Sequence, residues 1–171
     1  NYNRRNPAYT VYSNAFYDLI RNRATFTRLS STTSQIVNAP EVAVLGYTLD
    51  AQVFPIEPVA VRGSVTLARA WDLNTTHEMP YKPRVEGWGS VSYLIQPWLG
   101  VTLQEQFVGK RFIAVRGVES LAPFAQTIFR VDANVGGGVA FFKIANLFDA
   151  PGFENPGFPY PGRSYWLGYS I

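Results

Sequence analysis

The chain has 171 residues, 47% of them hydrophobic and 15% aromatic, with no Cys and a formal net charge of +3. Mean hydropathy near zero means that apolar and polar residues are interspersed, and no apolar run approaches the eighteen or so residues of a membrane-crossing helix. The missing Cys excludes disulfides, thiolate metal sites and Cys nucleophiles, and the small, scattered positive charge argues against a nucleic-acid partner.

Alternation with a period of two recurs eight times, whereas helical periodicity is nowhere sustained. The expected strands are Ala8 to Ile20, Pro40 to Phe54, Ala60 to Leu73, Val85 to Ile95, Leu99 to Gly109, Gln126 to Gly136, Gly138 to Phe148 and Ser164 to Ile171. Most exceed the five or six residues of an average soluble strand and suit the roughly nine to eleven of a tilted membrane-crossing strand. Their connections alternate in size. Pro55 to Pro58, Gln96 to Trp98 and Gly136 to Gly138 are short, while 21–38, 74–84, 110–125 and 149–163 are long. Long loops on one rim and tight turns on the other are the pattern of an outer-membrane barrel.

The strands also have distinct faces, because successive side chains point to opposite sides. Tyr47, Leu49, Ala51 and Val53 oppose Thr48, Asp50 and Gln52; Leu103 and Phe107 oppose Gln104 and Gln106; Phe129, Val131, Ala133 and Val135 oppose Arg130, Asp132 and Asn134. Alternation alone does not say which face is outside. Arg69 and Glu105 interrupt the apolar set, and both fall in the loop-side half of their strands. There a charged head reaches the lipid headgroups at a cost of about 0–1 kcal/mol.

The ending is the most distinctive part. Asn146-Leu147-Phe148-Asp149 leads into a loop rich in Pro, Gly and aromatics, then Pro161-Gly162-Arg163 and the closing Tyr165-Trp166-Leu167-Gly168-Tyr169-Ser170-Ile171. This order resembles the C-terminus of TonB-dependent outer-membrane receptors. Upstream, Asn38-Ala39 with Val44 to Leu49, Met79-Pro80-Tyr81-Lys82-Pro83-Arg84, and Phe107-Val108-Gly109-Lys110-Arg111-Phe112 are similar to that family's segments in the same order. Departures are Thr48 in place of the usual Glu and Ile171 in place of a frequent terminal Phe.

The resemblance implies an all-β fold: an antiparallel transmembrane β-barrel with eight strands here, forming the C-terminal portion of a 22-stranded barrel across residues 1–171. It implies a bacterial outer-membrane receptor that takes up a scarce ligand of the siderophore, cobalamin or glycan class. The implied partners are outer-membrane lipid and lipopolysaccharide, the remaining barrel and plug, and the TonB system through an N-terminal part. Neither plug nor TonB box lies within these residues, and Asn1 follows no leader pattern, so a processed chain or an internal piece is expected. The alternatives are a self-contained eight-stranded outer-membrane barrel acting as anchor, adhesin or narrow pore, and a soluble ligand-binding β-barrel.

No catalytic constellation emerges, and neither a cofactor nor a metal is expected. Ser30, Ser31 and Ser34 have no nearby His, and Gly136 to Gly138 lacks the helix and Lys of a phosphate loop. The ligand-binding candidates all lie on the loop rim: Asp72, His77, Tyr81, Lys110, Arg111, Arg116, Phe158 and Tyr160. The cations there suit an anionic ligand or lipopolysaccharide phosphates, or form a solvated rim. Phe153, Phe158 and Tyr160 suit an aromatic platform, or a loop merely stiffened by its prolines. His77, the sole His, has no second metal ligand nearby in sequence and reads as a solvated loop residue.

Overall fold

A computed structural model describes residues 8–28, 33–113 and 119–171. Eight long strands are β1 (Ala8–Arg28), β2 (Ser34–Ile56), β3 (Val59–Asp72), β4 (Val85–Gln96), β5 (Leu99–Val108), β8 (Phe124–Val135), β9 (Gly138–Ala145) and β12 (Ser164–Ser170). Between them lie the short pairs β6 (Arg111–Phe112) with β7 (Ser120–Leu121), and β10 (Phe153–Asn155) with β11 (Phe158–Pro159). The long strands form one sheet in the order β1-β2-β3-β4-β5-β8-β9-β12, each antiparallel to its neighbour. Among the described residues β1 and β12 are its two free edges.

The tight turns are Glu57-Pro58, Pro97-Trp98 and Gly136-Gly137. At the last, φ is 60° and 86°, the sign that a two-residue hairpin turn demands at both positions and that Gly adopts without penalty. The β1–β2 connection differs from expectation. The pair continues in register to Arg28 opposite Ser34, so most of the expected loop 21–38 is a hairpin. Twenty-one residues of β1 extend to roughly 70 Å at about 3.3 Å each, more than twice the hydrocarbon thickness of about 30 Å. The sequence hides this extension because Arg21-Asn22-Arg23-Ala24-Thr25 lacks an apolar side.

Register carries each face across the sheet. Thr48 lies opposite Thr66, Ser92 opposite Thr102, Thr102 opposite Arg130, and Arg130 opposite Lys143. Hydroxyls meet within this polar face, Thr48 and Thr66 at 3.1 Å and Ser92 and Thr102 at 2.9 Å. On the other face Tyr47 lies opposite Leu67, Leu103 opposite Val91 and Phe129, and Val131 opposite Phe142, which faces Leu167.

The apolar face is uncovered: Leu167 is 85%, Val135 55% and Leu103 49% exposed. Long loops fold instead over the polar face, whose strand residues line the described cavities. The polar face is therefore the inner one, the reverse of a soluble β-barrel. Exposed aromatics mark both ends of the apolar face, with Tyr9 and Tyr17 on β1 about 26 Å apart along the strand. That is the scale of the roughly 25 Å apolar band between aromatic girdles. Among the described residues a cluster of buried core is formed by Val42, Ala70 and Met79, with Ile20 and Val44 packed beside them; Ala43, Ile113 and Phe124 are buried as well.

Candidate functional site

The last strands position the site through their connection. Asn146 and Asp149 do not continue β9, as alternation suggests; they adopt φ of 52° and 55°, a left-handed region that Asn and Asp tolerate better than most residues. Asn146, 1% exposed, donates from Nδ2 to the carbonyls of Ala150 at 3.0 Å and Pro161 at 3.3 Å, and accepts the Ala150 N–H at 2.8 Å. The Asp149 carboxylate accepts the Arg163 N–H at 2.8 Å. The two ends of the loop are thus stapled by the motifs that flank it.

Three loops meet above the inner face. The Tyr81 N–H donates to the Phe112 carbonyl at 2.7 Å, tying the β3–β4 loop to the β5–β8 loop. Arg111 donates from Nη2 to the Phe153 carbonyl at 2.6 Å and from Nη1 to the Glu154 carbonyl at 3.3 Å, tying the β5–β8 loop to the last. Phe124 stacks on Tyr160 with ring centroids 4.5 Å apart. This stack lies against Gly152, where an added Cβ would clash with the Phe124 ring.

The loops roof a cavity of about 480 Å³. Its floor is the inner face at Phe16, Ile20, Val44, Thr66, Ala68, Ala70, Glu86 and Val108, and its roof is Tyr81, Lys82, Pro83, Arg111 and Tyr160. Apolar floor with a few cations and phenols above it is the usual make-up of a small-molecule site.

Of the eight candidates, Tyr81, Arg111 and Tyr160 converge on this cavity. The Asp72 carboxylate accepts the N–H groups of Asn74 at 2.7 Å and Thr75 at 3.1 Å, closing a local turn. His77 is exposed and sits in that same turn, its carbonyl accepting the Asp72 N–H. Lys110 is exposed, its ammonium 5.6 Å from the Phe112 ring centroid. Phe158 is 69% exposed, and Arg116 lies outside the described residues.

Sequence reasoning missed Phe16, Lys82, Glu86 and Phe124 as site residues. Phe16 is the legible one, since an aromatic among Asn14, Asp18 and their polar neighbours breaks that face's pattern. Its ring covers Gly46, directly opposite on β2.

On the outer face Arg69 reaches Glu78, Nε to Oε1 at 3.0 Å, and lies over Trp71 at 5.7 Å from its centroid. Arg84 pairs with the same carboxylate. Hydrogen bonding to Glu78 first, and its negative charge second, push the Arg84 guanidinium above its ordinary pKa. Glu105 accepts a hydrogen bond from the Thr127 hydroxyl directly opposite it. Both expected interruptions of the apolar face are therefore partnered. Arg21 pairs with Glu41 at 3.4 Å across the β1–β2 hairpin.

The copper transporter OprC matches 93% of this chain with a TM-score of 0.77 at 17% identity. The fold is that of a segment of a TonB-dependent receptor barrel. The FrpB iron transporter from Neisseria meningitidis matches 94% of the chain at TM-score 0.68 and 15% identity. The siderophore receptor PiuA from Acinetobacter baumannii matches 94% at 0.64 and 16%. These matches cover 28%, 28% and 25% of those chains respectively, so this chain spans about a quarter of the length of the structures it resembles. No family model matches it, and no curated protein does.

Proposed function

We propose that this chain supplies wall and extracellular loops to an outer-membrane receptor that takes up a scarce ligand with energy delivered by the TonB system. The observation that carries the reading is the open sheet with an uncovered apolar outer face and loops gathered over a polar inner one. Such a surface is stable against hydrocarbon, and its two free edges require strands from the rest of the protein, since each unsatisfied backbone group in lipid costs several kcal/mol. The structures it resembles are named as transporters and receptors, which supports transport rather than catalysis. The partners proposed are lipid and lipopolysaccharide outside, and the remaining barrel and plug at the edges and inner face. A siderophore, cobalamin or glycan class of ligand enters from the loop rim.

The test is closure, in the full-length receptor in intact outer membranes. Cysteines at Ser13 and Leu167, and separately at Asn14 with Gly168 or Ser170, sample alignments of β1 against β12. Asn14 with Thr48, directly opposite in the sheet, is the positive control. Cross-linking of the control alone is expected. Ready β1–β12 cross-links within one molecule would instead establish a self-contained eight-stranded barrel.

A further inference from the structure

Arg111 is only 6% exposed, yet among the described residues no carboxylate pairs with it. Its two Nη groups are spent on the Phe153 and Glu154 carbonyls, which are neutral, and its buried Nε has no acceptor. A guanidinium never loses its proton in a protein, so the charge cannot be shed. A buried charge needs a counter-charge and a buried donor needs an acceptor. An atom screened from bulk water cannot find that acceptor in bulk water.

The side chain lines the cavity beneath the loops, where Lys82 adds a second cation and Glu86 is the lone carboxylate. The lining thus carries one net positive charge, with the phenols of Tyr81 and Tyr160 beside it as donors. We propose that this cavity is an oxyanion site: a carboxylate or phosphate group of the ligand is held by Arg111, whose Nε–H it accepts, with Lys82 at its margin. The inference rests on the receptor role proposed above and narrows its ligand to one bearing an oxyanion. The same side chain would link the ligand to the last loop, because Arg111 also donates to the Phe153 and Glu154 carbonyls.

The experiment uses the full-length receptor in detergent, titrated separately with inorganic phosphate and with citrate. Arginine Nε–H resonances are followed by NMR, that of Arg111 being assigned by its loss in Arg111→Lys, and affinity is measured by calorimetry. Expected are a saturable shift of the Arg111 resonance with at least one of the two anions, and affinity at least tenfold weaker in Arg111→Gln. Lys110→Gln, exposed and outside the cavity lining, is expected to bind as the parent does. Which anion shifts the resonance distinguishes a phosphate from a carboxylate ligand.

Three results would overturn the proposal: no shift with either anion, parental affinity in Arg111→Gln, or an Arg111 signal already in its bound position before anion is added. The last would assign the counter-charge to an acidic residue of the receptor itself. Heat-modifiable gel mobility is recorded for every variant. Its presence keeps a failed anion site distinct from a failed barrel, and its absence in the parent counts against the receptor reading instead.

Discussion

Replacing Asn146 by Ala isolates the staple that closes the last loop. The substitution removes three hydrogen bonds, two donated to the Ala150 and Pro161 carbonyls and one accepted from the Ala150 N–H. At about 0.5–1.5 kcal/mol net for each, the sum is roughly 3 kcal/mol. Placing Ala at φ 52° adds up to about 1 kcal/mol more, since Asn enters the left-handed region more readily than Ala does. The loop borders the cavity through Tyr160 while the sheet continues below it, so the loss is local. Hydrogen exchange of the full-length protein should therefore accelerate at least 100-fold across 146–163, at about 1.4 kcal/mol per tenfold, with β8 unchanged. Asn146→Asp is the sharper variant. It keeps the acceptor for Ala150 but turns an oxygen toward two carbonyls, and it should open the loop at least as far as Ala does. Exchange within threefold of the parent in both variants would refute the staple.

Three further outcomes follow from the same geometry. Val131→Arg puts a charge near the middle of the outer face and should cost roughly 2–4 kcal/mol in liposome folding, whereas Asn134→Arg on the inner face should be far milder. Gly152→Ala forces its new methyl against the Phe124 ring and should destabilise the loop by about 1–3 kcal/mol, seen as faster exchange around Tyr160. Glu78→Gln leaves Arg69 and Arg84 without their shared carboxylate. Because both guanidiniums are largely exposed, the unfolding stability of the protein should change by no more than about 1 kcal/mol.

Much of the architecture was legible because one face of most strands is predominantly apolar. The expected bounds of β3, β4 and β5 fall within one residue of those observed, and turns at Glu57-Pro58 and Gly136-Gly137 are marked by Pro and Gly. What alternation could not show is pairing without an apolar face, as beyond Ile20 in β1, where the backbone ladder continues in register to Arg28. Nor could it show that β9 ends at Ala145, because Leu147 and Phe148 maintain an apolar appearance while Asn146 has already turned the chain. The site was legible only as a rim of polar and aromatic loop residues. Bringing Tyr81, Arg111 and Tyr160 together depends on contacts between three loops distant in sequence, and the turn that absorbs Asp72 depends on local backbone geometry. Arg111 and Lys110 are adjacent in sequence and alike in charge; only packing makes one buried and the other exposed.

The orientation of the sheet is the central claim, and labelling with a lipid-restricted reagent measures it directly. Single cysteines at Leu103, Val131 and Leu167 of the full-length protein in outer membranes should react, while those at Gln104, Asp132 and Trp166 should not. The converse pattern, with the inner set labelled and the outer set protected, would contradict the account, because the apolar face would then be an interior and the chain a soluble barrel.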